Sequence, residues 1–279
     1  MRLPQLRWPV PSASFFLTKS ALGCEGLRRG WAGGQGLLLT VARPRRLNLT
    51  KHLPWLIMRW SDTFKGLRPR LLPRSAAIQT GFQDVPSLNY HPVLGLISRL
   101  RFVIVLSLLP KRRFRRLLEI GYGSGIFQPE LADHCDQLYG VDVHPYARRV
   151  SQNLQACQVD TRLVQGDGLA LPFTDQSFDC VLAMSCMEYM DPLDQAAREM
   201  RRILKPDGAF LCVTPGNSPV IDFGHDLLTG RRVRNGYGER RAALVPTLSR
   251  YFTVQEELAM PRFGGSLMTL YRGYRLGLS

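Results

Sequence analysis

From residue 116 onward, short apolar runs alternate with segments in which apolar residues recur every three or four positions. The runs predict five β-strands and the segments between them predict helices. The strands span residues 116–120, 137–143, 161–165, 178–184 and 209–214. Pro145 opens one helix at its first turn, and Asp191 caps another that begins with Pro192. This alternation indicates an α/β domain with a parallel sheet and right-handed crossovers.

The end of the chain breaks this alternation. Residues 251–259 and 266–274 predict two consecutive strands, joined through Pro261 and the glycine pair at 264 and 265. Such a connection predicts a hairpin that closes one edge of the sheet. We therefore expect one domain with seven strands and no internal repeat.

The most apolar segment, residues 92–109, precedes the first strand. Arg99 and Arg101 interrupt it, and the uninterrupted run 102–109 is far shorter than the ~20 residues that a membrane-spanning helix needs. Basic residues follow up to position 116, so peripheral contact of residues 92–116 with an anionic membrane stays open. The alternative is a helix that packs on the domain and extends its arginines into solvent.

The charge of the chain is concentrated at its N-terminus. The 279 residues carry a net charge of +15, which by itself suggests a nucleic-acid or membrane partner. Residues 1–80 hold 14 of the 37 basic residues and two of the 22 acidic ones, so +12 of the charge lies there. Residues 81–279 carry only +3, and we expect no nucleic-acid partner.

Residues 1–80 are rich in arginine, proline and glycine and show no sustained period, which predicts a poorly ordered leader. Three explanations stay open: an organelle transit peptide, a basic arm for nucleic acid or membrane, or an extension upstream of a start near Met58. We expect residues 81–279 to form the folded domain. We expect it in the cytoplasm, with membrane association or, for a transit peptide, the mitochondrion as alternatives.

Three predicted strand ends carry the groups of a ligand site. The first strand contains Glu119 and runs into a turn with the sequence GYGSG at 121–125. Asp142 ends the second strand, and Asp167 follows the third. In open parallel sheets, ligands bind beyond the carboxyl ends of the strands. Asp142 lies 21 residues after Gly121, where nucleotide-binding folds place a carboxylate for the ribose hydroxyls.

The glycine spacing separates two classes of nucleotide. A dinucleotide site has GxGxxG, whereas this chain has GxGxG and Ile126 at the position of the third glycine. Carboxylates near the turn favour a cofactor with cationic groups. S-adenosylmethionine carries a sulfonium and an ammonium and meets this condition. A nicotinamide-dependent oxidoreductase is the less favoured alternative.

Four segments resemble the successive motifs of class I S-adenosylmethionine-dependent methyltransferases, in the branch of the ubiquinone/menaquinone-biosynthesis type methylases with a methyltransferase type 11 domain. They are LLEIGYGSG at 117–125, GVDVHP at 140–145, QGDGLALPFTDQSFDCV at 165–181 and REMRRILKPDGAFLCVTP at 198–215. The resemblance implies a Rossmann-like, doubly wound sheet with strand order 3-2-1-4-5-7-6 and an antiparallel strand 7. It also implies methyl transfer by in-line displacement to a small-molecule or lipid-like acceptor, at O, N or C.

The resemblance assigns residues to the methionine part of the cofactor. Gly121, Tyr122 and Gly123 would form the floor beneath it, with Glu119 near its amino group, directly or through water. Met184, at the end of the fourth strand, would line the same part through its backbone.

The resemblance also assigns residues to the nucleoside part. Asp142 would accept from the ribose hydroxyls, and Val143 would pack on the adenine. Asp167 would accept from the adenine amino group, while the backbone at Gly168 reads a ring nitrogen. The plainer alternatives are a helix-capping role for Asp142 and a turn-capping role for Asp167.

The acceptor side is less well defined by sequence. Glu188 and Tyr189 follow the fourth strand, and Asp222 and His225 follow the fifth; a general base is needed only if the acceptor is protonated at the operating pH. Tyr189 stands where many relatives have histidine, so a non-catalytic methyltransferase-like binding domain is a further alternative. Cys186 has no accompanying ligand spacing, and we expect no metal site and no disulfide scaffold.

Arginines between residues 216 and 241 lie where this fold commonly builds its substrate lid. They are Arg231, Arg232, Arg234, Arg240 and Arg241. They could recognise an anionic group of the acceptor or form a solvated loop, and both interpretations stay open.

Overall fold

The computed structural model describes residues 69–81, 84–92, 94–216, 237–261 and 269–279. The leader up to residue 68 and the segment with Asp222 and His225 lie outside the described residues. The seven strands are β1 Phe114–Ile120, β2 Cys135–Asp142, β3 Arg162–Gln165, β4 Phe178–Met184, β5 Leu204–Pro215, β6 Phe252–Met260 and β7 Tyr271–Leu278. They form one sheet in the order β3-β2-β1-β4-β5-β7-β6.

The strand directions match the predicted fold. β1 to β5 pair in parallel, and β7 is antiparallel to both β5 and β6. The helices are α1 Leu94–Leu108, α2 Gln128–Ala132, α3 Ala147–Ala156, α4 Leu193–Ile203 and α5 Tyr237–Leu248. The Rossmann-like α/β fold with an antiparallel strand 7 is thereby confirmed. Its parallel strands bring the carboxyl ends of β1, β2 and β4 to one edge of the sheet.

β5 begins earlier than predicted. Leu204, the residue after α4, already pairs with Phe178, and the register then shifts so that Ala209 faces Cys180. Residues 205–208 therefore form an irregularity within the strand. Regular pairing from Ala209 onward corresponds to the predicted run 209–214.

β7 begins and ends later than the predicted run 266–274. It starts at Tyr271, which pairs with Pro215, and its antiparallel register with β5 continues to Leu276. Burial extends past the predicted end at residue 274, because Leu276 is also buried. The bounds of this strand are set by its pairing with β5, which the local pattern does not contain.

α1 packs against the part of the sheet formed by β5, β6 and β7. Ile104 and Leu108 are fully buried. Gly273 of β7 permits the close contact, because a Cβ atom there would lie 2.1 Å from Cγ2 of Ile104. Peripheral membrane contact was an alternative for this segment because it is apolar. Most of its apolar side chains, however, belong to the core. Among the described residues, no helix combines the length and hydropathy needed to cross a membrane.

Part of the basic cluster after α1 is engaged within the domain. Arg113 forms an ion pair with Asp136 at 2.6 Å, and Arg112 approaches Asp207 at 3.8 Å. These pairs reduce the unbalanced positive charge that the cluster shows in the sequence.

The described residues 69–81 and 84–92, here called the strap, pack on the domain although most of them lie in the predicted leader. Leu72 is fully buried, and its N–H donates to the Ile126 carbonyl at 3.0 Å. The Asn153 side-chain amide donates to the Ala76 carbonyl at 2.8 Å. The strap is therefore part of the folded domain and lies beside the glycine turn.

Candidate functional site

The glycine turn after β1 requires residues without a side chain. Gly121, Gly123 and Gly125 have φ values of +73°, +51° and +71°, which L side chains rarely adopt. A Cβ atom at Gly121 would also lie 2.7 Å from Cβ of Cys186. The glycines therefore let neighbouring side chains, Cys186 among them, pack directly against the backbone of the turn.

Asp142 and His144 hold the turn from the neighbouring strand. The Gly123 N–H donates to Asp142 Oδ2 at 2.8 Å, and His144 Nε2 donates to the Gly123 carbonyl at 2.9 Å. His144 Nδ1 accepts from the Tyr146 N–H at 3.1 Å, so this network assigns the proton to Nε2. His144 is a positioning residue for the turn, and Asp142 keeps lone pairs with which it would accept from the ribose hydroxyls, as the resemblance predicts.

Glu119 is a buried carboxyl beside the turn, with 2% exposure. The Gln128 side-chain amide donates to its Oε2 at 2.5 Å, and the Thr161 hydroxyl donates to Gln128 Oε1 at 2.7 Å. Burial raises the pKa of Glu119 to about 8, despite the opposing hydrogen bond. A cation near this carboxyl would therefore favour its ionised form.

The nucleoside side of the predicted site has open and closed parts. The Val143 side chain is 67% exposed, so a flat ring could pack against it. Asp167 is exposed and accepts from the Leu169 N–H at 2.9 Å, which is the turn-capping role, while its second oxygen stays available. Gly168 is buried, and a Cβ atom there would lie 2.7 Å from Met190 Cε. These features fit an adenosine group along the ends of β2 and β3.

Tyr122 differs from the other residues of the turn. Its side chain is 3% exposed and packs with Leu72, Val150 and Leu154 in a buried cluster. Its ring also meets His144 edge to face, with centroids 4.9 Å apart. The Tyr122 side chain thus supports the turn from beneath, and only its backbone lies with the glycines.

Met184 ends β4, and two residues predicted for the acceptor side, Glu188 and Tyr189, follow it. Met184 is partly buried, and Cys186 Sγ donates to the Ile120 carbonyl at 3.2 Å. Burial raises the pKa of the Cys186 thiol well above its usual value, which disfavours a nucleophilic thiolate. Glu188 is fully buried and its carbonyl accepts from Arg240 Nε at 2.9 Å, whereas the Tyr189 side chain is 38% exposed.

The described residues contain no group of three or more His, Cys, Asp or Glu side chains placed to hold a metal ion.

Two charged residues near the turn were not predicted. Asp84 of the strap lies over Gly123, and Arg101 of α1 lies close enough to stabilise the ionised forms of Asp84 and Glu119. Both precede the motifs, and the only signal was that Arg101 interrupts an apolar segment.

Comparison with known proteins identifies the class. A family model described as a methyltransferase domain matches residues 118–212. A demethylmenaquinone methyltransferase of Roseiflexus castenholzii is 33% identical over 173 residues, which cover 58% of this chain and 72% of the relative. Five further curated relatives are matched over 29% to 46% of their length.

Solved structures agree in fold. The N-methyltransferase NodS of Bradyrhizobium japonicum, in complex with S-adenosyl-L-homocysteine, superposes with a TM-score of 0.52 at 20% identity, covering 71% of this chain and 94% of NodS. The PH0226 protein of Pyrococcus horikoshii gives a TM-score of 0.52 at 18% identity, covering 78% and 99%.

The fold and the relatives together define an enzyme that uses S-adenosylmethionine as its methyl donor. The chain belongs to the class I S-adenosylmethionine-dependent methyltransferase family, of the ubiquinone/menaquinone type. The nicotinamide-dependent alternative is not supported.

Proposed function

We propose that this enzyme methylates a small-molecule or lipid-like acceptor at O, N or C. The observation that carries the proposal is the composition of the wall beside the donor site. Cys186 lies against Gly121 and Met190 against Gly168, so soft apolar side chains border the glycine turn and the adenine end. Such a wall suits an apolar or aromatic acceptor, and the Roseiflexus castenholzii relative is named for demethylmenaquinone.

When bound, the cofactor would supply a sulfonium methyl group: an electron pair of the acceptor would bond to the methyl carbon in line as the carbon–sulfur bond breaks and S-adenosylhomocysteine leaves. The residues of this chain would act mainly by positioning. Glu119 and Asp142 would hold the two ends of the donor, and the glycine turn admits it without a side-chain clash. The buried wall would also exclude water from the methyl transfer.

A base is needed only for an acceptor that carries its proton at the operating pH. Of the predicted candidates, His225 lies outside the described residues and Tyr189 is partly exposed. Glu188 is fully buried and close enough to Cys186 to raise the pKa of its thiol. We therefore select Glu188 as the first acceptor-side residue to vary.

Titration calorimetry with S-adenosylmethionine tests the donor site. Asp142→Asn should weaken binding by about 10- to 100-fold, because it removes a charged acceptor for the ribose and the Gly123 N–H. Asp136→Asn is the matched control: Asp136 lies on the same strand, its side chain is 59% exposed, and it forms an ion pair with Arg113. Equal affinities of the two variants would contradict the assigned role of Asp142.

Transfer of a labelled methyl group into fractionated cell extract tests the acceptor class. Label in the organic phase supports a lipid-like acceptor, and label in small water-soluble products supports a polar small molecule. Label only in protein or nucleic acid contradicts the proposal. Cofactor binding without labelled product in any fraction favours the non-catalytic alternative.

A further inference from the structure

A carboxyl group from the strap lies directly over the glycine turn. A Cβ atom on Gly123 would stand 3.2 Å from Asp84 Cγ and 3.3 Å from each of its oxygens. The Thr80 hydroxyl and N–H donate to Asp84 Oδ2 at 2.7 Å and 3.3 Å. Both bonds reach the same oxygen, and Oδ1 accepts none from the described residues. Asp84 therefore offers a fixed acceptor above the floor assigned to the methionine part.

The guanidinium of Arg101 lies close enough to both Asp84 and Glu119 to stabilise their ionised forms. It stands over the Phe102 ring at 4.9 Å, and Phe102 stacks on Phe127 of the loop that follows the glycine turn, with centroids 4.6 Å apart. Its Nη2 donates to Asn89 Oδ1 at 3.2 Å. Its Nε is buried and has no hydrogen-bond partner among the described residues. A guanidinium has five N–H donors, so most of this fork is available to a further acceptor.

Asn89 ties the strap to α1 at this point. Its Oδ1 also accepts from the Ser98 hydroxyl at 2.7 Å, and its amide donates to the Pro86 carbonyl at 3.2 Å. Gly95 permits the close approach, because a Cβ atom there would lie 2.7 Å from the Asn89 carbonyl oxygen. Asp84 and Arg101 are therefore positioned by a built contact between two segments.

The charges in this region match a zwitterion. Burial raises the pKa of both Asp84 and Glu119, and Arg101 lowers both. Asp142 also lies close enough to raise both pKa values, so one guanidinium lies among three carboxyls. A ligand that places an ammonium beside the carboxyls and a carboxylate beside the guanidinium would give each of these protein charges an opposite charge to pair with.

We propose that Asp84 and Arg101 form the pocket for the amino-acid end of S-adenosylmethionine, with Asp84 on the ammonium and Arg101 on the carboxylate. The motifs of the resemblance begin at residue 117 and assign neither residue. The inference rests on the assigned cofactor and extends its site to segments that precede the sheet. Asp84 and Glu119 then hold the ammonium from two sides, and the strap is a wall of the donor site.

The test compares two ligands that differ only at this end. S-adenosylmethionine carries the amino-acid group, whereas 5′-methylthioadenosine has the same adenosine and sulfur without it. We expect Asp84→Asn and Arg101→Met each to weaken S-adenosylmethionine binding by about 10- to 100-fold in calorimetry. Binding of 5′-methylthioadenosine should change by less than about threefold, because the proposal assigns neither residue a contact with the adenosine.

Arg99→Met is the matched control, because Arg99 lies on the same helix and its Nε donates to the Gly95 carbonyl of that helix. Arg101→Lys keeps the charge but loses the fork, so it should remain weakened toward S-adenosylmethionine. If Arg101→Lys binds S-adenosylmethionine as tightly as wild type, Arg101 acts only as a counter-ion for Glu119. Its proposed role in binding the carboxylate of the cofactor is then overturned. Equal weakening of both ligands would show damage to the turn and overturn the proposal.

The outcomes separate this inference from the cofactor assignment. If the wild-type protein binds neither ligand, the assigned cofactor itself is refuted. If it binds both and the Asp84 and Arg101 variants keep wild-type affinity for S-adenosylmethionine, only the present proposal is refuted. Thermal unfolding of each variant shows whether a lost affinity accompanies a lost fold.

Discussion

Replacing Glu119 by glutamine removes one buried ionisable group and almost nothing else. The amide has nearly the same shape, and its oxygen can still accept the hydrogen bond that Gln128 donates to Glu119. The position is 2% exposed, so solvent does not compensate for the change. We expect Glu119→Gln to alter the pH dependence of stability more than the fold.

The magnitude follows from proton linkage. The Glu119 carboxyl ionises near pH 4.5 in the unfolded chain, whereas burial raises its pKa to about 8 in the folded protein. Between these values the folded state binds the proton and the unfolded state does not. Wild-type stability therefore falls as the pH rises, by about 1.4 kcal/mol per pH unit from this group. Glutamine has no proton to lose, and the variant lacks this decline.

Urea unfolding at several pH values measures the effect. Relative to wild type, Glu119→Gln should gain about 2 to 3 kcal/mol between pH 5.5 and 7.5, and the gain should level off above pH 8. Glu257→Gln on the exposed side of β6 is the control and should run parallel to wild type. Parallel profiles for Glu119→Gln and wild type would refute the claim that burial raises this pKa.

Four further predictions follow from the site. Wild-type affinity for S-adenosylmethionine should rise by about tenfold from pH 6.5 to 8.5 as Glu119 ionises, and calorimetry of Glu119→Gln should show no such rise. Gly123→Ala should cost about 1 to 2 kcal/mol in urea unfolding and weaken the cofactor, because alanine is strained at φ +51°; an unchanged affinity would contradict the geometry of the turn. His144→Phe should raise the KM for the cofactor with little change in kcat, since the Gly123 carbonyl loses its donor. Cys186→Ala should keep kcat within about threefold, because burial keeps the thiol protonated; a loss of 100-fold would indicate a chemical role for the thiol.

The sheet could be predicted from local patterns because each parallel strand is a short apolar run with a turn after it. β4 was predicted with its observed bounds, since Phe178 to Met184 is apolar at nearly every position and lies in the centre of the sheet. β7 was misplaced, because its position is decided by antiparallel register with β5. The resemblance supplied the strand order, which no local pattern contains.

The candidate site divides along similar lines. Asp142 and the glycines were visible because they lie in two short motifs at the ends of two strands. Asp84 and Arg101 were not, because only folding brings them beside the turn, 39 and 22 positions away from Gly123 in the chain. The role of His144 in holding the Gly123 carbonyl likewise depends on a contact between two loops.

The packing of α1 against Gly273 of β7 has a consequence for folding during synthesis. Ile104 and Gly273 are 169 positions apart, so the ribosome completes the helix long before it makes the strand that covers it. At ordinary elongation rates this interval is roughly 10 to 30 s. During that time the apolar face of α1 has no β7 to pack on. We expect this face to be exposed to chaperones in the nascent chain until β7 is made and completes the cover of α1.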